Sequence, residues 1–153
     1  VIDETVQLMN LIGKHAVGLT KESLGVVGNR IQLAVLREAF HIVDEGIATP
    51  EAVDDIIKYS LGRRWSLVGP IASADLGGLD VFKNISSYLY DDLSAQKGTD
   101  PVLKAKVDNH ELGLKTGKGF FDWNGEEGKQ MVQDRDTKLL DLLKRDLQND
   151  SRN

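Results

Sequence analysis

Asn29 is the residue best placed to do chemistry: it stands beside Arg30, directly after Gly25-Val26-Val27-Gly28, at the mouth of a long apolar run. A primary amide both donates and accepts hydrogen bonds, so at such a point it can orient a polar group of a substrate. Its neighbours at helical spacing, Gly25, Val26 and Leu33, are small or apolar, and burial of the amide without a partner would be costly. Two readings stand side by side, an amide that caps the backbone where the chain enters a helix and an amide turned towards a ligand. Lys115 is the second candidate, a cation within Lys115-Thr116-Gly117-Lys118-Gly119-Phe120. This segment has the short residues of a phosphate loop but neither the spacing nor the Gly-Lys-Ser/Thr ending of a P-loop, so it is no NTPase signature.

Other polar residues carry less. Arg63-Arg64 is an adjacent guanidinium pair, suited to phosphate but equally to a solvated loop, and Trp65 beside it either stacks on a ligand or covers core. Arg30 is expected to pair with Glu38 or Asp44. Asp75 and Asp80 are five residues apart, which puts them on nearby but not identical faces of a helix and argues against an acid–base pair. His15, His41 and His110 are scattered along a chain without cysteine, so neither a metal site nor a disulfide framework is expected.

Composition narrows the classes further. A chain of 153 residues, 41% hydrophobic, suffices for one domain. The net charge of −5 gives no general attraction to nucleic acid or to an anionic membrane surface. No apolar run approaches the roughly 20 residues that span a bilayer, and a cytoplasmic setting is expected. The chain starts at Val1 and runs almost at once into an amphipathic pattern, which suggests a piece of a longer protein.

The elements that must position Asn29 and Lys115 read as helices. Apolar spacing predicts a first helix from Asp3 to about His15, then a short β-like run, Ala16 to Leu19, and a polar turn. A second helix, about Val26 to Glu45, carries apolar residues on more than one stripe, predicting burial on several sides and a dimer contact; Gly46 ends it. Thr49-Pro50-Glu51 starts a third helix, expected to stop near Gly62 and give way to a loop over 63–70. Residues 72–94 predict a helix interrupted at Gly77-Gly78, where close packing of another backbone is expected. Asp100-Pro101 starts a helix to about Leu112, and an irregular segment follows, pinned by Phe120, Phe121 and Trp123. A capping box, Asn124 with Glu127, introduces a last helix with leucines at 139, 140, 142, 143 and 147, and the tail from Asp150 is expected to fray.

Taken together, Gly25-Val26-Val27-Gly28-Asn29-Arg30, Thr49-Pro50-Glu51, Gly69-Pro70, Asp75, Gly78-Leu79-Asp80 and Lys115-Thr116-Gly117-Lys118-Gly119-Phe120 resemble the C-terminal domain of the NAD-dependent 3-hydroxyacyl-CoA dehydrogenases, the 3-hydroxybutyryl-CoA dehydrogenase group included. The resemblance runs over nearly the whole chain. It implies an all-α domain of the 6-phosphogluconate dehydrogenase C-terminal type, one unit over 1–153, which packs against an N-terminal Rossmann domain and against a second subunit. The catalytic His and the dinucleotide fingerprint belong to that other domain, and no Gly-x-Gly-x-x-Gly follows a strand here.

By the same resemblance Asn29 is a catalytic residue that orients a short-chain 3-hydroxyacyl-CoA, and Lys115 is a cofactor-binding residue reaching towards NAD. The isolated chain is then inactive by itself. Two departures mark this member: Val26 replaces a Phe, which keeps the site apolar, and Ala72 stands where the pattern Gly-Pro-x-Glu has an acid. The Ala72 departure and Arg63-Arg64 leave open a relative acting on a non-CoA hydroxy acid such as L-gulonate or carnitine. A stand-alone helical dimerisation module is the non-enzymatic alternative.

Overall fold

The computed structural model describes residues 1–150, the side chains of 149 and 150 excepted, so the expected fraying of the tail from Asp150 falls outside the described side chains. The order of elements is α1 (Ile2–Leu11), α2 (Val27–Asp44), α3 (Pro50–Ile56), a π-helical turn (Ile57–Leu61), α4 (Gly62–Gly77), α5 (Leu79–Leu89), α6 (Pro101–Asp108) and α7 (Glu126–Asp150). The described residues hold no β-strand; two isolated bridges, Gly113 with Lys118 and Lys118 with Asp122, are the only extended pairing among them. The β-like run at 16–19 finds no strand partner and is irregular chain after a first helix that ends earlier than expected.

Helix boundaries follow local chemistry where a cap is present. Thr49 accepts a hydrogen bond from the Ala52 N–H at 3.3 Å, with Pro50 at the first helical position and Glu51 in the first turn. Asp100 accepts from the Val102 N–H at 3.1 Å ahead of Pro101. At the end of α2 the Ile47 N–H reaches the Ile42 carbonyl and the Gly46 N–H reaches that of Val43, the paired closure of a Schellman motif.

The stop expected at Gly62 is absent. Gly62 sits at φ −59°, ψ −39°, ordinary helical geometry, and its N–H bonds to the Ile57 carbonyl five residues back, so α3 runs through a π turn into α4. Residues 63–68 are therefore helical rather than loop, with the Arg63 guanidinium 4.8 Å from the centre of the Tyr59 ring one turn earlier. The true break is Gly69, at φ 71° and ψ 167°, a conformation in which a Cβ would clash. A second break falls at Gly77-Gly78, where the interruption was expected, and separates α4 from α5, which ends at Leu89 rather than near Ser94. The Phe82 ring, not another backbone, fills the space a Gly77 side chain would need.

The capping box before α7 does not form. α7 begins at Glu126, and the Asn124 amide instead donates to Asp122 at 2.8 Å.

Packing concentrates at one place, where the C-terminal half of α2 meets α3, α6 and the segment 111–123. There Glu38 accepts from the Ser94 N–H at 2.8 Å, Phe40 stacks on Phe120, and Gly119 and Gly128 are buried. The N-terminal half of α2 is open, with Ile31 45% and Leu33 57% exposed, against the expected burial on several sides. Among the described residues no apolar side chain is fully buried. The accessible surface is 12792 Å², whereas a compact monomer of 16.9 kDa exposes about 7,700 Å². The chain thus exposes more surface than a compact monomer, and many large apolar side chains lie on it.

Candidate functional site

Lys115 sits at the third position of a turn closed by the Thr116 N–H donating to the Gly113 carbonyl at 3.1 Å. The arms beyond it are tied by the Gly113 N–H to the Lys118 carbonyl at 2.8 Å, the Gly119 N–H to the Phe121 carbonyl at 2.9 Å and the Trp123 N–H to the Gly117 carbonyl at 2.8 Å. The Thr116 hydroxyl accepts from the Leu112 N–H at 2.9 Å and donates to the Lys118 carbonyl at 3.2 Å. Gly119 is required where the arms meet, because a Cβ there would lie 2.8 Å from the Gly113 Cα. The Lys115 side chain is exposed and has no polar partner among the described residues.

Beneath the turn lies a cluster that sequence reading missed. The two carboxylate oxygens of Glu111 take one lysine each, Lys106 at 2.6 Å and Lys118 at 2.7 Å. Lys106 also donates to the Gly119 carbonyl at 3.0 Å and lies 5.4 Å from the Phe120 ring centre. Glu111 is 19% exposed, and the hydrogen bonds from Lys106 and then Lys118 hold its carboxyl far below the ordinary range, at about 2. Glu111 in turn raises the Lys118 ammonium. No sequence rule pairs these residues, since intervals of five and seven cross a helix end and a double turn rather than follow a helical face.

Asn29 lies in the first turn of α2, exposed, and its side chain has no hydrogen-bond partner among the described residues. It is not the cap of that helix: Val26 occupies the N-cap position and no side-chain bond is made there. Arg30 donates to the Leu24 carbonyl at 3.1 Å and not to Glu38 or Asp44, which pins the entering loop over the start of the helix. Asn29 and Lys115 are joined through α2 rather than by contact. Phe40, on which the lysine segment packs, is 11 residues beyond Asn29, or about 16 Å along the helix axis.

The remaining candidates have local tasks. Arg64 reaches the Ser60 hydroxyl at 3.4 Å, and Arg63 lies on Tyr59. Trp65 is half-buried within α4 rather than in a loop. Asp75 closes α4, whereas Asp80 lies in the first turn of α5, so they belong to different helices. Among the described residues no group of His, Asp and Glu could hold a metal ion, and no helix is long and apolar enough to cross a membrane. The Lys115 ammonium is exposed, and among the described residues no glycine turn joins a strand to a helix.

Residues 25–123, which hold both Asn29 and Lys115, match the family described as 3-hydroxyacyl-CoA dehydrogenase, C-terminal domain. The chain belongs to that family, and its fold is the all-α C-terminal domain of these oxidoreductases. It is 35% identical over 133 residues to 5-formyl-3-hydroxy-2-methylpyridine 4-carboxylate 5-dehydrogenase of Mesorhizobium japonicum, covering 87% of this chain and 43% of that protein. It is 38% identical over 123 residues to the 3-hydroxybutyryl-CoA dehydrogenase of Clostridioides difficile, covering 80% and 42%. A crystal structure of the 5-formyl-3-hydroxy-2-methylpyridine 4-carboxylic acid 5-dehydrogenase, described as an NAD+-dependent dismutase, superposes with a TM-score of 0.87 at 33% identity, over 92% of this chain and 45% of that one. The chain thus spans less than half the length of these relatives.

Proposed function

We propose that this chain is the substrate-binding and dimerisation domain of an NAD-dependent dehydrogenase that moves hydride between NAD and the 3-hydroxyl carbon of a short-chain 3-hydroxyacyl-CoA, as in fatty-acid metabolism, in the cytoplasm. The observation that carries it is the free, exposed amide of Asn29 in the first turn of α2, inside the stretch that matches the family. An uncommitted amide is available to accept from the substrate hydroxyl and donate to its carbonyl, holding the reacting carbon in place. A His of an upstream Rossmann domain accepts the hydroxyl proton. Lys115 contributes a positive charge to the cofactor side.

The uncovered apolar surface supports the assembly. An excess of roughly 5,000 Å² on one chain over a compact monomer is more than the roughly 1,000–2,500 Å² that an obligate interface removes from each partner. A second copy and the upstream domain together would cover it.

A second reading has its own support. The Mesorhizobium relative is named for a pyridine carboxylate and not for a CoA ester, and Ala72 replaces the acid of the Gly-Pro-x-Glu pattern. Under it the substrate is a free hydroxy acid. The full-length protein should be assayed for acetoacetyl-CoA-dependent NADH oxidation, with L-gulonate, carnitine and a hydroxypyridine carboxylate run with NAD in the oxidative direction. Turnover of the CoA ester is the expected result; turnover of a free acid alone would replace this proposal by the second, and silence with all would leave a binding module.

A further inference from the structure

The double turn that carries Lys115 contains a second lysine, Lys118, and is held by a third, Lys106 of α6, yet only Lys115 is without a counter-charge. Glu111 makes the difference. One carboxylate oxygen fixes Lys106, which holds the Gly119 carbonyl, and the other fixes Lys118, whose own carbonyl receives the Gly113 N–H and the Thr116 hydroxyl. Both ends of the turn are thereby fastened to one side chain four residues from its tip. Charge-assisted bonds of 2.6 and 2.7 Å, on a carboxylate 19% exposed, are stronger than ordinary surface pairs.

We propose that Glu111 is a positioning residue: it locks the Gly113–Phe121 turns and neutralises Lys106 and Lys118, so that Lys115 alone meets an anionic group of the bound dinucleotide. This rests on the cofactor-side reading of Lys115. Without the carboxylate, two ammonium groups are left facing each other, Lys118 moves out to water, and the turn loses its fixed geometry. An ion pair that served stability alone would act independently of Lys115, and that difference can be measured.

The test is NADH dissociation from the full-length protein, followed by cofactor fluorescence, for Lys115→Ala, Glu111→Gln, Glu111→Asp and the double variant Lys115→Ala/Glu111→Gln. Lys115→Ala and Glu111→Gln are each expected to weaken NADH about five- to tenfold, the scale of one charge-assisted contact partly open to solvent. Glu111→Asp should restore most of the loss, and in the Lys115→Ala background Glu111→Gln should add less than twofold. Equal weakening with Lys115 present or absent would overturn the proposal and leave a structural ion pair, and so would unchanged binding in Glu111→Gln.

Fluorine-labelled tryptophan, with the Trp123 resonance assigned by its loss in Trp123→Phe, reports the turns separately from the cofactor. Unchanged NADH binding in Lys115→Ala, together with a shifted Trp123 signal in Glu111→Gln, would show that the brace is real but that the role of Lys115, and with it this inference, is wrong. If Glu111→Gln does not fold, Lys118→Met, which leaves the Glu111–Lys106 bond intact, is put through the same cycle with Lys115→Ala.

Discussion

Phe40 of α2 and Phe120 of the lysine segment lie nearly face to face, their ring centres 5.2 Å apart and their planes inclined by 14°. This is the joint through which the helix that presents Asn29 holds the turn that presents Lys115. The Lys106 ammonium lies 5.4 Å from the centre of the Phe120 ring. Replacing Phe120 by Ala should cost about 2 kcal/mol, less than the 3–5 kcal/mol of a fully buried Phe because both rings are half-buried. Urea unfolding would measure it, and a loss under 0.5 kcal/mol would mean that the two regions are not coupled there.

Asn29→Ala in the full-length protein should lower turnover about ten- to a hundredfold while leaving the unfolding midpoint in place. An exposed side chain with no partner has little stability to lose. Unchanged kinetics would remove Asn29 from the mechanism; a large drop in stability would make it structural.

Thr49→Ala should destabilise the protein by about 1 kcal/mol, since it removes the acceptor for the Ala52 N–H at the start of α3. Thr49→Ser should restore the loss. Equal stability of the Ala and Ser variants would show that Pro50 alone sets this helix start.

Glu111 gives a pH signature. Its carboxyl is depressed in the folded state, to about 2 from an ordinary 4.5. The stabilisation it supplies is therefore complete above pH 4.5 and is lost as the pH falls from there towards 2. With fluorine-labelled tryptophan, acid titration of the Trp123 resonance should show a transition in that window that Glu111→Gln lacks. An identical titration in the two proteins would contradict the assignment.

Association should be tight. Sedimentation at micromolar concentration is expected to find a dimer, and the thermal midpoint should rise with protein concentration. A compact monomer would mean that the exposed apolar faces fold back on each other in solution.

The sequence by itself determined those features whose partners lie within a turn of the chain. Thr49-Pro50 and Asp100-Pro101 announce helix starts because an oxygen two or three residues from an unbonded N–H leaves the backbone little choice. Gly46 announces an end in the same way, and the spaced motifs carried the family. Helix breaks were less legible. Pro70 announces the break at Gly69, φ 71°, because the residue before a proline is turned away from helical geometry, whereas nothing next to Gly62 announces that it continues through a π turn at φ −59°.

Tertiary structure alone decided where charge and apolar surface go. Glu111 meets Lys106 and Lys118 because a helix end and a double turn bring them together, a geometry that no linear spacing encodes. Arg30 turned from its expected acids to the Leu24 carbonyl for a similar reason, since the chain entering α2 folds back over it. Apolar periodicity on α2 identified a face to be buried but not what buries it. Covering that face needs surface from elsewhere, and a periodic pattern records only that water is to be excluded, not by which neighbour.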